Sequence, residues 1–382
     1  MERVNEANGN QNLKEQFREA NEKRDYSVYT WLMDAALEAK AKSIFPYIDA
    51  EEGDVIVDAG SGTGALAELA ARAFRGTEVY ALDISHELRT RAQEKQALIH
   101  LAYGDASEQV FPENSVKVKY YSTSGHEIES FGGAGRMRAA MESTWRELVP
   151  GGRVIVRDFA KPSFSGPVYL QILSQVGLPH APADASPEMI DYNKLSTSAL
   201  LERFQHEFGG GGRFTYENVL IGGVHYFKMS AEWAHEFYLR KDYTGNWHQE
   251  IQEKYTYWSP EEARALLEEL GYEHVQVIPD PNDWIIKNRL EGRVALFSKK
   301  GKTLIPMPFP PTHMIVVGDK PKEKISESRN RAPLPEVNYR TVLSRIQIHP
   351  AEQRLTIDDR TFALADVPPF RGQKKIGYVL SG

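Results

Sequence analysis

The sequence predicts an α/β protein built on a doubly wound, mainly parallel sheet, and three observations carry that prediction. Short apolar runs of strand type alternate with segments of helical spacing from residue 54 onward. A glycine-rich turn, Asp58-Ala-Gly60-Ser-Gly62-Thr-Gly64, leaves the first of those runs and enters a helix. Acids then follow the next two strand-like runs, Asp83 in ALDIS and Asp105 in YGDA.

Residues 13–48 have helical apolar spacing with a break near Asp25. Residues 54–59 (DVIVDA) form the first buried-strand run, and the alanine-rich 65–74 the helix after it. Residues 78–82 give a second strand, and 85–97 a helix with Ser85 as its cap. Strands are expected at 97–103 and 116–122, a helix at 134–148, a turn at 150–152 and a fifth strand at 153–159 (RVIVRDF). Such alternation covers both faces of a parallel sheet. Ser259-Pro-Glu-Glu opens a later helix with a cap and a first-turn proline, and Gly271 ends it. Strand-like runs at 274–278 and 293–298 then read as a closing pair.

About a hundred residues, 160–258, separate the fifth strand from that helix. A gap of that size is a structured insertion rather than a loop. Helices are expected around 187–208 and 230–243, a strand at 219–229, and a hinge at Gly209–Gly212. The stretch is rich in aromatic residues, among them Trp233, Tyr238, Trp247, Tyr255 and Tyr257, which suits both an organic-ligand pocket and the insertion's own core.

The whole chain of 382 residues carries a formal charge of −7, so no general nucleic-acid footprint is expected. Residues 301–382 differ, with 13 Lys/Arg against 8 Asp/Glu and 10 of the 21 prolines, which places a boundary near Lys299–Lys302. Zero cysteines exclude a disulfide scaffold, a cysteine nucleophile and a thiolate zinc site. No apolar run approaches the roughly 20 residues of a membrane span, and the N-terminus lacks a signal-peptide core. A cytoplasmic protein is expected.

Glycines at a strand–helix turn let the backbone approach a ligand closely, and the helix start offers free N–H donors. The order D-x-G-x-G-x-G, Asp83, Gly104-Asp105-Ala106 and L-x-P-G-G-x-V at 148–154 resembles the class I S-adenosylmethionine-dependent methyltransferases over roughly residues 25–300, outside the insertion. The resemblance implies a Rossmann-like sheet of seven strands with an antiparallel last strand, which residues 274–298 would supply. It implies S-adenosyl-L-methionine as cofactor. Gly60, Gly62 and Gly64, with Ser61, would pass under its methionine and ribose. Asp83, with Ile84, would bind the ribose hydroxyls; Asp105, beside Ala106, would bind the adenine amino group. Asp58 would orient the loop or reach the cofactor's amino group through water, and Ser122 would line the pocket. An N-terminal helical lid over residues 1–50 would bring Tyr29 to the methionine end, unless that segment only packs as an amphipathic helix.

The fourth strand ends in Ser122-Thr-Ser-Gly-His126-Glu127, where this family often places acceptor-facing residues. Small-molecule O-methyltransferases carry a His-Asp pair there whose histidine acts as base. His126 and Glu127 are therefore the catalytic candidates, against a loop-capping role for His126. His206, His225, His235 and His248 lack metal-ligand spacing, and no metal is expected.

The sequence thus reads as a methyltransferase domain (51–300) with a helical substrate cap and a β-rich region at 301–382. The expected acceptor is an O or N atom of a small organic molecule. The alternatives are RNA or protein methylation guided by the basic C-terminal region, and a scaffold that binds the cofactor without turnover. The apolar end KKIGYVLSG reads as a pairing strand, a homo-oligomer contact or a point where a longer chain stops.

Overall fold

A seven-stranded sheet gathers strands from Val55 to Asp319. The computed structural model describes residues 37–85, 98–182, 186–209 and 213–322, and three strands at 346–349, 354–357 and 360–363. The sheet runs β3-β2-β1-β4-β5-β12-β9. Its strands are β1 (Val55–Ala59), β2 (Glu78–Asp83), β3 (His100–Tyr103), β4 (Val116–Ser122), β5 (Leu148–Phe159), β9 (Glu273–Asp280) and β12 (His313–Asp319). The first five are parallel neighbours, while β12 lies antiparallel between β5 and β9.

Alternate residues of these strands bury against opposite helical layers. Ile56, Val79, Val118, Ile155 and Ile315 face α1 (Leu37–Ile44) and α2 (Ala65–Ala73). Val57, Leu82, Tyr121, Val156 and Val316 face α4 (Arg136–Glu147) and a helix that follows the insertion. Burial on both faces explains why the strands read as continuous apolar runs. Each fully buried aliphatic side chain contributes about 1.5–3 kcal/mol of transfer free energy.

The seventh strand is not where the sequence placed it. The run at 293–298 belongs instead to β10 (Val294–Lys300), in a second sheet. The place beside β5 is taken by β12, whose HMIVVGD is buried through its first six residues. The charge step at Lys299–Lys302 falls at the hairpin between β10 and β11 (Thr303–Met307). The turn expected at 150–152 is an irregularity inside β5, where the register jumps from Val116↔Leu148 to Val118↔Arg153.

The insertion has its own core. Its strands β6 (Pro167–Ile172), β7 (Glu217–Ile221) and β8 (Val224–Ser230) share an antiparallel sheet, β11-β10-β6-β8-β7, with the later β10 and β11. Gly222 and Gly223, at φ 59° and 79°, form the two-residue β7–β8 turn, a geometry that suits glycine. Against this sheet pack α5 (Thr197–Glu207) and α6 (Ala231–Arg240), capped by Ser196 and Ser230. Phe204, Phe237, Tyr238 and Trp247 are fully buried there, so those aromatics form core. The helix after the insertion, α7 (Pro260–Glu269), has the expected Ser259 cap, which forms a capping box with Glu262, and Gly271 follows it at φ 90°. The last strands, β13 (Ile346–His349), β14 (Arg354–Ile357) and β15 (Arg360–Ala363), form an antiparallel meander.

Tyr29 with the rest of the expected lid before Leu37, and residues 86–97 of the helix expected after β2, lie outside the described residues. Among the described residues no helix is long and apolar enough to cross a membrane.

Candidate active site

The site forms where β1 and β4 end, at the edge of a parallel sheet that carries ligand sites in open α/β folds. Gly60, Gly62 and Gly64 adopt φ of 74°, 56° and 70°, a left-handed backbone that side chains resist. At Gly60 the close approach is to the protein itself: a Cβ there would stand 2.5 Å from Ser124 Cβ. Ser124 in turn donates to the Ala59 carbonyl at 2.8 Å, locking the β1 turn against the β4 turn.

A cleft of about 320 Å³, counting its open mouth, is lined by Lys40, Asp58, Gly60, Ser61, Thr63 and Ser122 among others. Asp58 is 1% exposed, and neither of its carboxylate oxygens has a hydrogen-bond partner. Burial pushes its pKa up to about 7, against the pull of Tyr120 and Lys40. Lys40 reaches the cleft from α1, and burial of its ammonium, reinforced by Arg157, lowers its pKa to about 8. The Ser122 hydroxyl is also buried without a partner. Orphaned buried polar groups are rare and call for a ligand or water. An unpaired carboxylate and an ammonium in one cleft match the two charges of an amino-acid moiety, so the cofactor expected from the sequence fits the donor set.

Asp83 ends β2 and is held by two backbone donors, Gly62 N–H to Oδ2 and Ser85 N–H to Oδ1, both at 2.7 Å. Burial raises its pKa to about 6, against those two bonds. Ile84 follows it, half-buried. Asp105 is more committed than the sequence suggested. Its Oδ1 accepts from Ser107, and its Oδ2 takes the Arg136 guanidinium at 3.0 Å. Burial opposes its charge, but Ser107 and Arg136 outweigh that and lower its pKa. Buried Ala106 accepts from the Tyr121 hydroxyl at 3.0 Å.

His126 sits in the first turn of α3 (Gly125–Gly132), buried. The acid in direct contact with it is Asp158 at the end of β5, where the sequence reading offered Glu127. Asp158 Oδ1 is 2.8 Å from His126 Nδ1, and its Oδ2 accepts the His126 backbone N–H at 2.9 Å. On the other side, Glu253 Oε2 stands 3.5 Å from His126 Nε2. Burial opposes charge on the ring, yet Asp158 and Glu253 together hold its pKa well above 6.5. Glu127 is half-buried, and one of its carboxylate oxygens lies within 4.8 Å of the His126 and Glu253 ligand atoms.

Lys40, Arg136, Asp158 and Glu253 were not singled out from the sequence as site residues, and Tyr257 only as one of the insertion's aromatics. Asp158 had a readable signal, an acid ending an apolar strand run at the ligand-binding edge of the sheet. Glu253 had none, because only the folding of the insertion brings it to His126. Three contacts carry that closure: Lys254 N–H donates to Ser130 Oγ at 2.7 Å, the Tyr257 hydroxyl donates to Asp158 Oδ2 at 3.3 Å, and Tyr255 stacks on Phe159 at 3.9 Å.

Residues 57–156 match the family model described as a methyltransferase domain. No curated protein matches the chain. Among similar solved structures is phosphoethanolamine N-methyltransferase 2 of Haemonchus contortus, in complex with phosphomonomethylethanolamine and S-adenosylhomocysteine. The identity is 13% over 80% of this chain and 60% of that one, with a TM-score of 0.43. A possible histamine N-methyltransferase of Thermotoga maritima matches at 11% over 80% and 99%, TM-score 0.42. An S-adenosylmethionine-dependent methyltransferase of Mesorhizobium loti matches at 15% over 75% and 99%, TM-score 0.43. The chain thus spans 60% of the length of the Haemonchus enzyme. The matched segment, the sheet order and the glycine turn agree with the class I S-adenosylmethionine-dependent methyltransferase resemblance read from the sequence.

Proposed function

We propose that the protein transfers a methyl group from S-adenosylmethionine to an O or N atom of a small organic acceptor enclosed beneath the insertion. The observation that carries this reading is the closure of residues 253–257 onto His126, Ser130 and Asp158. A cap seated on the acceptor-facing end of the sheet favours a molecule small enough to be surrounded.

The cofactor supplies an already activated methyl group, so the protein's task is mainly to hold the acceptor in line and accept a surplus proton. Asp58 would take the cofactor's α-ammonium and Lys40 its α-carboxylate. Asp83 would take the ribose hydroxyls and Asp105 the adenine amino group, as the family resemblance implies. Asp158 fixes His126 through Nδ1, which leaves Nε2 as the ring atom facing Glu253. A proton released by the acceptor then has a receiver in the Glu253 carboxylate, and His126 orients that group rather than acting as a free base.

The test is transfer of label from methyl-labelled S-adenosylmethionine, offered in parallel to pools of small hydroxyl- and amine-bearing compounds and to total RNA. Label in the small-molecule fraction supports the reading, whereas label confined to RNA overturns it.

A further inference from the structure

Outside the cofactor cleft, the described residues hold a group of metal-ligating side chains that joins His126 and Glu253 of the methyl-transfer reading to Glu127. A His126 ring nitrogen, a Glu127 oxygen and a Glu253 oxygen all lie within 4.8 Å of one another. His126 and Glu253 are buried, 4% and 2% exposed, and Glu127 is half-buried. We propose that these three side chains bind a divalent first-row transition-metal cation on the acceptor side of the cofactor cleft.

Two features point to a cation, the first of them outside the cluster. The first is Asp158, which holds Nδ1 of His126 at 2.8 Å and its backbone N–H at 2.9 Å. Metal-binding imidazoles are held this way: a carboxylate on one ring nitrogen fixes the tautomer and turns the other nitrogen to the ion. The Phe159 and Tyr255 rings pack edge-on against the imidazole, at 5.0 and 5.1 Å between centroids, so it has little freedom to turn away.

The second is the separation of His126 Nε2 from Glu253 Oε2, 3.5 Å. A charged imidazole and a carboxylate bonded directly close to about 2.7–2.9 Å. Two ligands each about 2.1 Å from one ion stand about 3.0–3.4 Å apart at octahedral or tetrahedral angles. The observed gap leaves room for the second spacing, and without an ion the two groups form a long ion pair.

The donor set decides the class of ion. One imidazole nitrogen and two carboxylate oxygens suit Mn²⁺, Fe²⁺, Co²⁺ or Zn²⁺ better than Mg²⁺ or Ca²⁺, which prefer all-oxygen shells. Three protein ligands leave positions open for an oxygen-bearing acceptor. Histidine spacing in the sequence did not reveal this group because its third member arrives on the insertion.

The proposed role in acceptor placement rests on the methyl-transfer reading, but binding of the ion does not, and the test separates the two. Full-length protein is stripped with a chelator and titrated calorimetrically with Mn²⁺ and, separately, Zn²⁺. The same samples are titrated with S-adenosylhomocysteine. One equivalent of either ion is expected, with affinity reduced about tenfold or more in Glu253→Gln and in Glu127→Gln. Glu142→Gln, on the exposed face of α4, should bind like the parent. Glu127 is half-buried, so its variant keeps the test open if Glu253→Gln fails to fold. In the Co²⁺-loaded protein, the visible spectrum should change on Glu127→Gln. No binding of either ion up to about 1 mM, or binding that Glu127→Gln leaves unchanged, overturns the site. Homocysteine-cofactor binding without metal binding would sink this inference alone, and the reverse would sink the methyltransferase reading alone.

Discussion

The Gly62 backbone N–H donates to Asp83 Oδ2 at 2.7 Å, which ties the glycine turn after β1 to the acid that ends β2. The two strongest sequence signals are therefore one structural unit. Ser85 holds the other oxygen, so the carboxylate is oriented before any ligand arrives. Each oxygen keeps acceptor capacity for a ribose hydroxyl. Asp83→Ala is expected to weaken S-adenosylhomocysteine binding by about 1–3 kcal/mol, roughly fivefold to 150-fold, in calorimetry. Unchanged affinity would remove Asp83 from the cofactor site.

Gly60 is required by two independent constraints, its φ of 74° and the 2.5 Å approach of Ser124 Cβ to any added Cβ. Gly60→Ala should cost about 2–4 kcal/mol in denaturant unfolding. Adding Ser124→Gly should return part of that loss by relieving the contact, although the strained φ remains. A Gly60→Ala protein as stable as the parent would show that the β1 and β4 turns are not packed as described.

The pKa of Asp58 predicts a pH dependence of the ligand-free protein. Burial lifts the group from 3.8 to about 7, so between those values the folded state keeps a proton that the unfolded chain releases. This group's contribution to stability is full below pH 3.8 and is lost as pH rises through about 7, with an upper bound of about 4 kcal/mol. Asp58→Asn should therefore gain stability over the parent at pH 8 and lose that advantage near pH 4, in melts without cofactor. A difference independent of pH would mean that Asp58 is solvated or paired.

Lys40 faces the same cleft and is assigned to the cofactor's carboxylate. Lys40→Met should weaken binding of S-adenosylmethionine about tenfold, yet hardly change binding of its decarboxylated analogue. Equal losses for both compounds would make Lys40 a packing or general electrostatic residue.

Much of the cofactor half was legible because it is local. Asp58 lies near the end of β1 and Asp83 ends β2, while the glycines and Asp105 follow a strand, and each strand is announced by its own apolar run. The seventh strand was misplaced because periodicity shows that a segment is extended, not which strand it joins. The run at 293–298 read as extended, and the charge step at Lys299–Lys302 drew a boundary short of β12. The better clue was that HMIVV is continuously apolar, as a strand covered on both faces must be, whereas Ser298-Lys-Lys ends β10 in solvent. The acceptor side was read less well because its partners meet across the fold. His126, Asp158 and Glu253 come from α3, β5 and the insertion, and no spacing rule links them.

The central claim is that the cleft at Asp58 and Lys40 holds S-adenosylmethionine. Calorimetric titration of the purified protein with S-adenosylmethionine and S-adenosylhomocysteine tests it most directly. The account predicts one site of about micromolar affinity for each, weakened in Asp83→Ala and Lys40→Met. A folded protein that binds neither compound would contradict it.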